Sequence, residues 1–172
     1  MEKKAIAYWL IPAAPARGLF RELIGILAKQ FGAPQFLPHL TLLVHVDRTQ
    51  RPNEILKKIR AAPLELRIRK MASSPEFTKT LFVRLEPNRQ LAALSRALRL
   101  SANAPPKLLR DPHISLLYKK MPARVKRELA KTIRLPMLRI RFDAIKAVRC
   151  KLPSTTGRDV RQWKVVATKS LR

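Results

Sequence analysis

The chain is poor in the residues on which many catalytic sites are built. Its 172 residues include one cysteine, Cys150, so no intramolecular disulfide can form and no CxxC pair is available. Three histidines offer neither HExxH nor any other metal-ligand spacing, which leaves no cofactor or metal to expect. Four glycines provide no glycine-rich loop whose backbone N–H groups could cradle a triphosphate. Eleven acidic residues are too few and scattered to suggest a working carboxylate pair. No apolar run approaches the roughly 18 residues that span a bilayer, and Met1-Glu2-Lys3-Lys4 leads into a strand-like segment without a cleavable signal. A cytoplasmic chain with no membrane association is the expectation, with Cys150 as a buried apolar residue.

Positive charge is what the chain has in excess. Lys and Arg total 37, the formal net charge is +26 and the sequence pI is about 11.6. The cations are spread along the chain and form no single tail, so the expected surface is globally positive. Such a surface attracts polyanions and predicts salt-sensitive, non-specific RNA binding.

The periodicities predict strands over 5–11, 64–69 and 80–86 and helices over 15–31, 52–61, 88–101 and 122–135, with Asn88 as a cap. The first helix shows apolar spacing at Leu19, Leu23, Ile26, Leu27 and Ala28. Strands follow over 138–142, 144–150 and 163–167, with 151–162 as a polar loop around Gly157. The order strand, helix, strand, helix, strand occurs twice, which predicts one α+β domain spanning 1–172 and built of two pseudo-symmetric lobes. A monomer is expected. Trp9 and Trp163 are expected to anchor the core or its edge.

One motif also occurs twice. Pro38-His39-Leu40-Thr41-Leu42 and Pro112-His113-Ile114-Ser115-Leu116 share a Pro-His pair, an aliphatic residue, a hydroxyl residue and a leucine. In a strand, side chains i and i+2 share a face. His39 therefore lies beside Thr41, and His113 beside Ser115. Two imidazoles and two hydroxyls so arranged form a phosphate cradle with a proton acceptor and a proton donor. His45 lacks the pattern and is expected to be structural; a straight strand would place it on the face of His39 and Thr41.

These residues resemble the two-histidine phosphoesterase superfamily, in its cyclic phosphodiesterase-like and 2′-5′ RNA ligase-like branch. Ala7-Tyr8-Trp9-Leu10-Ile11-Pro12, the approach from Phe31 to Phe36, and Pro112 through Tyr118 are similar to segments of that branch, as are Phe142-Asp143 and Trp163-Lys164-Val165-Val166. The resemblance implies a bilobal fold with antiparallel sheets lining a central cleft and helices outside. It implies His39 and His113 as a catalytic acid/base pair, and Thr41, Ser115 and Tyr118 as phosphate contacts. The activity it implies is metal-independent hydrolysis of 2′,3′-cyclic phosphates on nucleotides or RNA ends. The alternatives are 2′-5′ ligase-like RNA end processing and a non-catalytic RNA-binding module. Which histidine is base and which is acid stays open in the sequence.

Overall fold

The computed structural model describes residues 3–46 and 51–172. In chain order its elements are β1 (Lys3–Pro12), α1 (Ala16–Phe31), β2 (Leu40–His45), α2 (Pro52–Lys58), β3 (Leu64–Ser73) and, after a 3-10 turn at Phe77–Lys79, β4 (Leu81–Leu85). The second half adds α3 (Arg89–Ser101), β5 (His113–Leu117), α4 (Ala123–Thr132), β6 (Arg139–Leu152), α5 (Gly157–Arg161) and β7 (Lys164–Ser170).

All the pairings are antiparallel, in the order β1-β2-β5-β4-β3-β6-β7, and β1 also pairs with β6. The strands therefore close on themselves. The closure depends on β6, whose first residues pair with β3 while its longer remainder runs between β1 and β7. Phe142 marks the transition, opposite both Leu64 and Pro12. The expected break between strands 138–142 and 144–150 is absent, because one continuous strand serves both lobes.

The repeated order β-α-β-α-β is present, but the repeats are interlocked. The last strand of the first half, β3, lies beside β4 of the second; the last strand of the second half, β6, lies beside β1 of the first. Helices cross over too, with α1 packed on β5 and α3 on β2. A main core containing Tyr8, Leu10, Phe20, Leu40, Ile114 and Phe142 fills the space between sheet and helices. A smaller cluster of Ala5, Ala7, Trp9 and Ile11 with Val148 and Cys150 covers the opposite face of β1.

Two helical readings need adjustment. α1 buries Ala16, Phe20, Ile24, Leu27 and Ala28, while Ile26 is more than half exposed. Phe20-Ile24-Leu27 is an equally regular stripe at helical spacing, and its larger aromatic sets the helix rotation. The expected loop around Gly157 instead holds α5, started by a capping box in which the Thr156 hydroxyl and the Asp159 carboxylate each satisfy a backbone N–H of the other.

Candidate functional site

The two motif strands meet at one residue pair, Leu40 opposite Ile114. Antiparallel register carried one residue either way sets Thr41 across from His113 and His39 across from Ser115. Directly opposed residues have Cβ atoms roughly 4.5–5.5 Å apart. Leu40 and Ile114 point into the main core, so the four polar residues fall together on the other face. Duplication of the motif thus becomes duplication in space about a single pair.

Each half builds its histidine in the same way. The His39 Nδ1–H donates to the carbonyl of Leu37 at 2.6 Å, and the His113 Nδ1–H to the carbonyl of Asp111 at 2.8 Å. Both bonds reach two residues back, and both leave Nε2 to accept a proton in the neutral ring and to carry one in the charged ring. Behind each hydroxyl stands an aromatic residue, with Trp9 opposite Thr41 and Phe82 opposite Ser115. The Trp9 ring stacks on His39 at 3.7 Å and 10°, and Phe82 meets His113 edge-on at 5.3 Å. In both motif strands the pairing then skips one leucine, Leu42 in β2 and Leu116 in β5. These bulges reset the alternation. His45 accordingly shares a face with buried Leu43, not with Thr41, which corrects the straight-strand expectation.

A family model described as the 2′-5′ RNA ligase superfamily matches residues 27–151, well over half of the chain and the whole of both motifs. The chain belongs to the 2′-5′ RNA ligase superfamily, a two-histidine phosphoesterase family. Solved structures agree in fold. TT0787 of Thermus thermophilus shares 21% identity over 98% of both chains, with a TM-score of 0.61. Escherichia coli LigT complexed with 3′-AMP shares 19% identity over 99% of both chains, with a TM-score of 0.58, and LigT complexed with ATP shares 17% with a TM-score of 0.56. No curated protein sequence matches the chain.

Within this superfamily fold the two halves of the site differ in charge. Around His39 the neighbours are apolar: Trp9 beneath, and Phe36 and Trp163 edge-on at 6.2 and 6.3 Å. Burial lowers its pKa to about 4, outweighing the Leu37 carbonyl, and the nearby His113 adds to the lowering. The positions that correspond in the second half are ionic. Where Leu37 precedes His39, Asp111 precedes His113, and Arg84 lies opposite His113 in the ladder. The Asp111 carboxylate accepts from Lys79 Nζ at 2.6 Å and from Arg84 Nε at 2.7 Å, and both cations lie over the Phe82 ring. Burial alone would raise the Asp111 pKa, but these two cations hold it below the ordinary carboxylate value. Burial also lowers the pKa of His113. The Asp111 carbonyl opposes that effect, Lys79 reinforces it, and the carboxylates of Asp111 and Glu76 oppose it.

The five residues singled out by sequence are close in the fold but differ in availability. Thr41 is half-buried, and its hydroxyl is not hydrogen-bonded among the described residues. Ser115 is buried and donates its hydroxyl proton to the Thr78 carbonyl at 2.9 Å. Tyr118 is turned inward, buried and stacked on Phe36 at 3.8 Å, and burial pushes its phenol well above the usual range despite the nearby Ser115 hydroxyl. Trp9 is an anchor as expected, but it also forms the shelf on which His39 lies. Sequence reasoning overlooked Lys79, Arg84 and Asp111. Among the described residues no group of three or more His, Cys, Asp or Glu could hold a metal ion, and no helix is long and apolar enough to cross a membrane.

Proposed function

We propose that the protein hydrolyses ribose 2′,3′-cyclic phosphates by acid/base catalysis between His39 and His113. The observation that carries this reading is the paired cradle: two imidazoles anchored through Nδ1, each with Nε2 left for chemistry. His39, in apolar surroundings and neutral above a pKa of about 4, is the base. Its Nε2 takes a proton from water as the water oxygen bonds to phosphorus. His113, beside the carboxylates of Asp111 and Glu76, is the acid. Its Nε2 gives a proton to the ribose oxygen as the P–O bond breaks.

The anionic substrate itself favours the charged form of His113. Thr41 donates to one phosphoryl oxygen, while Arg84 and Lys79, held near His113 by Asp111, balance the charge that develops on the others. Ser115 reaches the phosphate only if it gives up its bond to Thr78, and Tyr118 is buried against Phe36, so their role in this reading is to fix the floor of the cradle. A net charge of +26 favours an RNA end over a free nucleotide as the natural substrate.

The test is hydrolysis, with EDTA present, of a 2′,3′-cyclic mononucleotide beside a short RNA carrying the same terminus. Turnover of both is expected, with RNA preferred. His39→Ala combined with His113→Ala should abolish turnover and leave RNA binding intact. Survival of turnover in that double variant would remove these histidines from the mechanism. Binding without turnover in the unaltered protein would favour a recognition module.

A further inference from the structure

The histidine pair opens onto the sheet in two directions, and the two differ in charge. Opposed residues of an antiparallel pair share one face of the sheet. From Thr41 the row runs through Trp9 in β1 to Lys146 in β6 and Thr168 in β7. The next row is Val44, Ala7, Val148 and Val165. This exit is mainly apolar. The one cation in these two rows, Lys146, donates from Nζ to the Thr168 hydroxyl at 3.2 Å.

From His113 the row runs the other way, through Arg84 in β4 to Lys70 in β3. Leu66, Ile68 and Met71 of β3 pack into the main core, so Arg67 lies on the opposite face and continues the line from Lys70. Arg67 is opposite Arg139 of β6, and Glu65 is opposite Arg141. Arg139 and Arg141 alternate with fully buried Ile140 and Phe142. Lys70, Arg67, Arg139 and Arg141 are all exposed. Glu65 accepts from Arg139 Nη1 at 3.2 Å. Glu86, whose N–H donates to the Arg67 carbonyl, adds a second carboxylate nearby. Among the described residues Lys70, Arg67 and Arg141 have no carboxylate partner. By strand spacing and rise, the line from His113 to Arg139 is roughly 25 Å long.

We propose that the RNA strand attached to the cyclic phosphate leaves on the His113 side and lies across β4, β3 and β6, its phosphates on Lys70, Arg67 and Arg141. The inference rests on the cyclic-phosphate reading of the two histidines. Position identifies the occupant: these cations begin beside a catalytic histidine and extend from it in a line, which scattered surface cations do not. A repeating phosphate backbone matches that line. The exit past Trp9 and Val148 would leave the same phosphates without partners. A mononucleotide held at the histidines needs none of the three cations.

The experiment compares kcat/KM for a hexaribonucleotide ending in a 2′,3′-cyclic phosphate with that for a cyclic mononucleotide. Combining Arg67→Gln, Lys70→Gln and Arg141→Gln should lower this ratio at least tenfold, through KM for the RNA. An equal loss of charge from exposed positions of α1, Arg17→Gln with Arg21→Gln and Lys29→Gln, should change the ratio less than twofold. Both variants are checked for unchanged circular dichroism and melting. An unchanged ratio in the sheet variant, or an equal fall in both, would assign the preference to general surface charge and overturn the proposal. Fluorescence anisotropy with a labelled RNA of the same length reads the surface without turnover. The log–log salt slope should shrink by about 2 in the sheet variant, three phosphates at about 0.7 each, and stay closer to the parent's in the α1 variant. If the parent turns over neither substrate, the cyclic-phosphate reading fails, and this slope still decides whether RNA occupies the face. Loss of polyglutamate binding in the sheet variant with RNA binding intact would assign the face to an acidic protein and overturn the proposal equally.

Discussion

His39 and His113 share a motif and a backbone anchor but not an environment, and the difference has measurable consequences. His39 has a folded pKa of about 4 against about 6.5 unfolded. Between those values the unfolded chain binds the extra proton, so this contribution to stability is complete above pH 6.5 and is lost as pH falls toward 4. The loss is about 3 kcal/mol at 1.36 kcal/mol per pKa unit. Urea unfolding of the parent and of His39→Gln between pH 4 and 7 should show the parent losing about that much more than the variant. In the proposed reaction the same groups shape the rate: it requires a neutral His39 and a protonated His113, and both pKa values are lowered. The kcat/KM profile for a cyclic mononucleotide should therefore be a bell with its optimum below pH 6.5. A rate that stays high above pH 7 would exclude a protonated His113 of lowered pKa as the acid.

At the scale of elements, the ionic bridge among the turn at Phe77–Lys79, β4 and the approach to β5 tunes one half of the site. Asp111 holds Lys79 and Arg84 together and at the same time favours a charged His113. Asp111→Asn leaves the backbone carbonyl that orients His113 but removes the carboxylate. The two cations are then uncompensated. Inorganic phosphate should bind more tightly, while the basic limb of kcat/KM moves to lower pH because His113 loses its proton more readily. Phosphate inhibition constants and the pH profile of this variant check both directions, and an upward shift of the limb would exclude the carboxylate as a tuning group. Much at this scale was legible in the sequence. Period-two alternation and the repeated Pro-His pairs located the motif strands, and Asn88 caps α3 as expected, accepting from the Leu91 N–H at 2.9 Å. The ionic bridge was not legible, since Lys79 and Asp111 lie 32 residues apart and no local pattern links them. The interlocking of β3 and β6 was equally hidden, because alternation specifies which face of a strand is buried but not which strand it pairs with. The bulges did leave a trace: Leu42-Leu43 and Leu116-Leu117 each interrupt the polar-apolar alternation where one leucine is skipped.

For the whole molecule, charge and topology make separable contributions. The superfamily fold brings the two motifs to one sheet face through a single residue pair, and this arrangement needs no net charge. The excess of 26 cations cannot be neutralised within the chain, because only 11 acidic residues are present to pair with 37 basic ones. Long-range attraction of this kind is screened over roughly 10 Å at 0.1 M salt, whereas buried contacts at His39 are screened far less. RNA affinity should fall steeply with salt, with a log–log slope of about −0.7 per phosphate neutralised on a single strand. Hydrolysis of a cyclic mononucleotide, which presents one phosphate, should change little over the same range. Fluorescence anisotropy with a short labelled RNA, run in parallel with mononucleotide turnover from low to high salt, separates the two. If both decline together, the general surface charge is part of the catalytic cradle itself. If only RNA binding declines, the positive surface gathers polymer ends and the duplicated histidine motif does the chemistry.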